Sequence, residues 1–272
     1  MSKPSGAIDM TQGKPINLML RFALPMMIGS IFQSLYSMVD SAVLGRFVGS
    51  HALAAIGATT STTGLILLLA TGVTSAISIV LSQYVGANDT DRVRKGIVAS
   101  GWITLLLGVV LGLISVFAAR PLMQLLKTPE DVIDMSVLYI QIVCGCGIAQ
   151  FAYNAAASIL RALGDSKTPL YFLILCSILN VILDLISVIG LNMGVAGVAV
   201  ATVGSQAISA AICILVMFRK YPDLMPKRHT LRPDMPVSLK IFGMGAQMAL
   251  QSLFLSVGMM VITRVINSYG SN

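Results

Sequence analysis

Charged residues are scarce in this sequence: Asp, Glu, Lys and Arg make up only 11% of its 272 residues. A soluble domain carries about 25%, so a deficit of this size excludes an ordinary soluble fold. Hydrophobic residues reach 56% and indicate an integral membrane protein. The formal net charge of +7 does not indicate nucleic-acid binding, because the basic residues lie in short segments between apolar spans, without an aromatic-containing basic patch.

Cysteine and histidine are also rare. The four cysteines all lie inside apolar spans, where they are expected to be small packed hydrophobic residues rather than disulfide partners or metal ligands; they are Cys144, Cys146, Cys176 and Cys213. The two histidines fall in separate predicted loops. We therefore expect no resident metal or cofactor. The polar first sixteen residues and the long apolar run after them do not resemble a cleavable signal peptide.

Long apolar runs dominate the chain, and a membrane-spanning helix needs about 20 mostly apolar residues. Seven runs meet this requirement and predict an all-α integral membrane protein. They cover residues 17–44, 53–83, 97–118, 132–158, 169–190, 195–218 and 239–266.

The distribution of Lys and Arg predicts the orientation. With the N-terminus in the cytoplasm, fourteen basic residues fall on the inside and four on the outside, as the positive-inside rule requires. We expect a cytoplasmic tail at 1–16, a six-helix lobe at 17–218 and a proline-rich cytoplasmic linker at 219–238. The seventh span, within 239–272, repeats Gln33-Ser34-Leu35-Tyr36 as Gln251-Ser252-Leu253-Phe254. This echo suggests a parallel repeat of which the second copy has barely begun.

Two spans carry a stripe of polar residues that ends in a carboxylate. Helical spacing places Ser30, Gln33, Ser37 and Asp40 on one face of the first span, and Ser177, Asn180, Asp184 and Ser187 on one face of the fifth. Both aspartates lie about 7–9 Å below the outer helix end. Because an intramembrane charge costs about 2.5–3.5 kcal/mol on insertion scales, we predict that the two acids meet in a shared functional interior. The alternative is a protonated aspartate that holds helices together.

Weaker signals extend this interior. Thr202 and Gln206 are among the polar residues of the sixth span, where they are candidates to line the cavity. Pro25 removes a backbone hydrogen bond in the first span and predicts a bend there. That bend is either static or a hinge for the half of the helix that carries Asp40.

Three segments resemble the multidrug and toxic compound extrusion (MATE) transporters: MVDSAVLGRFVGSHALAAIGA at 38–58, RALGDSKTPLYFLILCSILNVILDLI at 161–186 and GVAGVAVATVGSQ at 194–206. The resemblance implies the amino-terminal half of a twelve-helix, two-lobe transporter and the first helix of its second lobe. In the DinF-like branch, it implies a cation site at Asp40, Asn180, Asp184 and Thr202, with an aromatic partner at Tyr139 and a bend at Pro25.

The function implied is export of small amphipathic organic cations, driven by inward flow of H⁺ or Na⁺ across the cell membrane, and not an enzyme activity. Two carboxylates in a low-dielectric cavity do not both ionise easily, which suits H⁺, whereas Asp, Asn and Thr oxygens could hold Na⁺. Two alternatives remain. A lipid-linked oligosaccharide flippase of the same superfamily would need deep cationic side chains, and none lies deep in the first six spans. An intramembrane aspartyl protease would need glycines beside its acid pair, and only Gly164-Asp165 resembles half of such a motif.

Overall fold

The structure is a computed structural model that describes residues 14–226 and 231–268. Residues 1–13 of the tail predicted at 1–16 lie outside these residues. So does Gly270-Ser271, which the sequence also suggests as a repeat of Gly49-Ser50. Within them the chain forms helices α1 (Pro15–Val43), α2 (Ser50–Gly86), α3 (Thr90–Leu125), α4 (Glu130–Gly145), α5 (Ile148–Ala162), α6 (Lys167–Leu185), α7 (Gly194–Lys220) and α8 (Met235–Ser268). Short π-helical segments extend α1 over Leu44–Val48 and α6 over Ile186–Gly190.

The helices have membrane-spanning dimensions. Five helical segments are long and apolar enough to cross a bilayer, and α4 together with α5 makes a sixth span if the bent pair is counted as one. The 34 residues of α8 also exceed the length that a crossing needs. The all-α membrane architecture expected from the apolar runs is confirmed.

The fourth span, predicted at 132–158, is not one straight helix. The chain bends by 43° between α4 and α5, at the sequence Cys144-Gly145-Cys146-Gly147. Here α3 approaches the backbone of the bend so closely that a Cβ on Gly112 would lie 2.9 Å from the carbonyl oxygen of Gly145. Glycine on both sides allows this contact, and an apolar run without prolines gives no periodicity signal for it.

The main hydrophobic core lies toward the end of the bundle where α2 finishes and α3 begins. It joins α2, α3, α5, α7 and the start of α8 through residues such as Ile77, Leu81, Leu160 and Ile241, all fully buried. Helix α8 crosses α2 at small residues, and a Cβ on Gly72 would lie 2.8 Å from the backbone nitrogen of Ala249. The chain after the first six spans therefore packs directly on this lobe.

The segment between α7 and α8 is docked on the bundle rather than extended away from it. Helix α7 continues to Lys220 and α8 begins at Met235, so both helices enter the range predicted as linker. Tyr221 and Met225 are buried in the core. The Trp102 indole N–H donates to the Leu231 carbonyl at 2.9 Å, which ties the segment to α3.

Candidate functional site

The two intramembrane aspartates lie at the far ends of two packed helices. Asp40 is in the last turn of α1, and Asp184 is in the last turn of α6. Helices α1 and α6 are in contact along their length. A π-helical segment begins within four residues after each acid, a feature that often accompanies functional sites. Asp184 is fully buried and Asp40 is half-buried.

The two carboxyl groups lie near enough to one another to interact. This proximity agrees with the spacing of the two polar stripes, because α1 and α6 run in the same direction and end together. That the two acids form one functional site stays a prediction.

Asn180 and Thr202 complete the site from the α6 and α7 sides. Both are buried, with exposures of 1% and 7%. The Asn180 side-chain amide donates to the Thr202 hydroxyl at 3.5 Å, and that hydroxyl donates in turn to the Val198 carbonyl at 2.9 Å. The threonine oxygen is thereby fixed on the wall of the site.

Several oxygens of the site are left without a partner. Among the described residues, none donates a hydrogen bond to Oδ1 of Asp40, to either carboxylate oxygen of Asp184 or to Oδ1 of Asn180, and all four atoms are buried. A buried polar atom without a hydrogen bond costs about 1–3 kcal/mol, and more if it is charged. Four such acceptors from three side chains form a site that a proton or a small cation would stabilise.

Two tyrosines, Tyr36 and Tyr139, lie near the acids. Tyr139, predicted from the resemblance, projects from α4 and interacts electrostatically with Asp40 and Asp184. Tyr36 occupies a similar position and was not predicted, although it lies one helical turn before Asp40, where the i, i+4 spacing could have revealed it.

Polar side chains also continue from the site along α6 and α7, and sequence reasoning missed the contribution of Cys176 to them. Cys176 donates from its thiol to the Ser205 hydroxyl at 3.7 Å. The sequence suggested only that Cys176 is a packed hydrophobic residue. Ser205 and Ser209, both from the polar series of the sixth span, are fully buried beside it. This polar track leads from Thr202 toward the linker end of the bundle.

An apolar cluster closes the site at the helix ends. It is formed by Val43, Leu44, Val188, Val195 and Val198 with their neighbours. Helices α6 and α7 meet there at Gly197, where a Cβ would lie 3.0 Å from both the Met193 and the Ser187 Cβ atoms.

The weaker candidates lie around the buried site. Gln33 and Ser37 are exposed on α1, on a face that borders the acids, and Ser177 and Gln206 are half-buried. The Ser177 hydroxyl donates to the Leu173 carbonyl within its own helix. Pro25 is buried in α1, which continues across it; the hinge stays a prediction.

Asp165 is not part of this site. It lies in the turn between α5 and α6, where the sequence predicted a polar loop, yet it is fully buried. Its carboxylate accepts hydrogen bonds from Lys220 Nζ at 2.6 Å and from the Thr168 hydroxyl at 2.6 Å. Asp165 precedes Asp184 by 19 residues, or about 28 Å of helix. The half-motif at Gly164-Asp165 is thus a structural tie between α5, α6 and α7.

Comparison with known proteins identifies the architecture. The MatE family model matches residues 25–186. The chain belongs to the MatE family. It is 32% identical over 268 residues to the probable multidrug resistance protein YpnP of Bacillus subtilis, covering 98% of this chain and 59% of that protein. A second B. subtilis protein, the probable multidrug resistance protein YoeA, is 30% identical over 92% of this chain and 56% of its own length.

Solved structures agree with this assignment. An outward-facing multidrug resistance MATE family transporter of the MOP superfamily superimposes with a TM-score of 0.90 at 25% identity, over 99% of this chain and 60% of its own. This MatE chain therefore spans somewhat more than half the length of the relatives it matches. It is a multi-pass membrane protein, and its matched region, residues 25–186, contains Asp40, Tyr139, Asn180 and Asp184.

Proposed function

We propose that this chain forms the amino-terminal lobe of an exporter of amphipathic organic cations, which exchanges its substrate for inward H⁺ or Na⁺ at the Asp40–Asp184 site. The observation that supports the proposal best is the set of buried, unpartnered oxygens on Asp40, Asp184 and Asn180. A proton or a hard cation is the partner that such oxygens lack. The multidrug export or resistance named for the relatives supports small organic molecules as the substrates.

Coupling follows from the position of the acids at the contact between α1 and α6. Loading of a cation neutralises the site and removes the repulsion between its two carboxylates, so the relative stability of two arrangements of these helices changes with occupancy. Transport by alternating access needs such a difference. The half-buried Asp40 is the acid that exchanges its ion, and the fully buried Asp184 holds the shared charge.

The charge of the site also bears on the flippase alternative. Both ionisable groups that interact at its centre are carboxylates, which favours a cationic substrate or coupling ion over a pyrophosphate-linked one. The membrane orientation is proposed as cytoplasmic for the N-terminus and for the segment between α7 and α8, from the distribution of basic residues.

The test is transport in proteoliposomes by the protein that carries this chain, with Asp40→Asn, Asp184→Asn and the double variant. Asparagine is nearly isosteric, so each variant should fold, and each should lose gradient-driven uptake by at least tenfold. The double variant should be little worse than either single one, because residues that act as a unit are non-additive.

The matched control is Asp134→Asn, which removes an exposed carboxylate that pairs with Arg120 at the surface. It should transport normally. Imposing a pH gradient or a Na⁺ gradient separately identifies the coupling ion. Near-normal transport by Asp40→Asn, with a lower melting temperature, would instead assign the acid to helix packing.

A further inference from the structure

A second concave site lies on the linker side of the bundle, away from the acids. It is a cavity of about 450 Å³ between α3, α5 and α7. Its lining runs from Ile97 to Leu105 on α3 and from Ile148 to Ile159 on α5. At 1.5 Å per residue these edges are about 12 and 16 Å long.

The dimensions fit a single lipid chain in one leaflet. The hydrocarbon core of a bilayer is about 30 Å thick, so each leaflet contributes about half, which is the length of the groove. The lining is almost entirely apolar, with Thr104 as its one hydroxyl side chain among the described residues. An unbranched apolar chain needs no hydrogen-bond partner there, whereas a drug-like ligand would need a few polar groups to orient it.

Trp102 indicates where the groove lies relative to the membrane surface. Its ring lines the cavity, is half exposed, and donates its N–H to the Leu231 carbonyl of the docked segment at 2.9 Å. Tryptophan is enriched at the level of the lipid headgroups. The groove therefore opens at the membrane surface on the side of the segment between α7 and α8, and it extends from there into the leaflet.

Two exposed basic residues are direct sequence neighbours of residues that line the groove. Phe218 and Leu231 line the cavity, and each is followed in the sequence by an exposed arginine, Arg219 and Arg232. A cation close to a membrane surface attracts anionic lipids by about 1 kcal/mol, or on the order of fivefold in affinity. Arginine also binds phosphate oxygens through paired hydrogen bonds.

We propose that this groove binds an acyl chain of an anionic phospholipid, with its phosphate held by Arg219 and Arg232. The lipid occupies the space between three helices and the docked segment, and so stabilises that segment on α3. The site shares no residue with the acid pair, and it does not depend on the proposed transport activity.

The experiment uses the only tryptophan of the chain as its probe. The 272-residue chain is reconstituted in phosphatidylcholine bilayers, into which a small fraction of phosphatidylglycerol brominated on its acyl chains is titrated. Brominated phosphatidylcholine is titrated in parallel to measure contact with annular lipid. We expect quenching of Trp102 by brominated phosphatidylglycerol to saturate. Half-maximal quenching should need at least fivefold less of this lipid than of brominated phosphatidylcholine.

Two kinds of variant separate the groove from the annulus. Gly101→Leu places a side chain into the groove, where a Cβ meets nothing within 4 Å, and should abolish the preference. Gly57→Leu is the matched control on α2, where a Cβ also meets open space, and should keep it. Arg219→Gln with Arg232→Gln should make the two brominated lipids equivalent while leaving quenching by annular lipid in place.

Equal quenching by the two lipids in the unaltered chain would overturn the proposal, as would a preference that survives Gly101→Leu. A third outcome, in which neither lipid reaches Trp102 and the reconstituted chain cross-links as a dimer, would assign the groove to a second copy and also overturn it.

Discussion

The buried carboxylate of Asp165 gives the sharpest stability prediction. It accepts four hydrogen bonds: from Lys220 Nζ at 2.6 Å, from the Thr168 hydroxyl at 2.6 Å, from the Thr168 backbone N–H at 3.0 Å and from the Tyr221 hydroxyl at 3.5 Å. Lys220→Met removes the only positive charge among these donors. It leaves the acid buried among neutral groups.

The magnitude follows from the geometry of the pair. Removing one partner of a buried ion pair costs about 3–5 kcal/mol. The Lys220 side chain is 22% exposed, and three neutral donors stay in place, so we expect about 2–3 kcal/mol here. With about 2–4 °C per kcal/mol for chains of comparable size, the melting temperature should fall by about 4–12 °C. Lys167→Met, which removes an exposed cation in the same turn, should leave it nearly unchanged.

The difference in stability loss between removing Asp165 and removing Lys220 provides the decisive check. Asp165→Asn should cost less than Lys220→Met, because the freed lysine can reach water whereas the freed carboxylate cannot. Adding Asp165→Asn to Lys220→Met should therefore recover part of the lost stability. Melting of the purified chain in detergent, followed by a thiol-reactive dye or by circular dichroism, measures all three variants. A double variant whose loss equals the sum of the single losses would refute the reasoning.

Three further predictions address other regions. Gly197→Leu should overpack the junction of α6 and α7 and cost about 1–3 kcal/mol, whereas Gly204→Leu, whose Cβ has an ordinary 3.8 Å contact, should cost less; equal melting temperatures would contradict this. In a cysteine-free background, a cysteine at Ala87 should react with an impermeant maleimide only after permeabilisation, and one at Gln124 in intact cells; the reverse would invert the proposed orientation. The hydrogen bond from Lys95 lowers the pKa of Asp234, so this ion pair stabilises the docked segment above the unfolded pKa of about 3.9 and is lost as pH falls through the lower folded pKa. The emission of Trp102, which contacts the same segment, should therefore hold steady from pH 8 to about 5. A shift of the emission within that range would contradict this role of the pair.

The strongest sequence predictions are those in which one energetic term dominates. The apolar spans follow from the lack of hydrogen-bond partners in the bilayer, which leaves the helix as the structure for each of them. The proximity of Asp40 and Asp184 is expected from the cost of an unpaired intramembrane acid, and their role as one site stays a prediction. In both cases the dominant free-energy contribution can be read from the residues of the helix itself.

Features that depend on distant partners escaped prediction. The bend between α4 and α5 needs the backbone contact with Gly112, and nothing near Gly145 reveals that helix α3 passes there. The burial of Asp165 depends on Lys220, 55 residues later. A turn that contains Asp, Ser and Lys is typical of an exposed loop, so only the fold shows that it is an interior tie.

Two buried aspartates lie at opposite ends of helix α6, and their hydrogen-bonding surroundings differ. Asp165 before its start and Asp184 near its end are both fully buried, yet the first has a cation and three further donors, whereas both oxygens of the second have no partner among the described residues. A carboxylate with hydrogen-bond partners stabilises the fold, whereas the proposed function makes the carboxylate without donors the binding group for an exchangeable ion. Neutralising the two should then have opposite effects. Asp165→Asn should lower the melting temperature and leave ion-dependent transport per folded molecule unchanged. Asp184→Asn should keep or raise the melting temperature, because it removes an uncompensated buried charge, and should abolish transport. If Asp165→Asn and Asp184→Asn lowered the melting temperature equally, the number of hydrogen bonds to a buried acid would not separate structural from functional acids in this lobe.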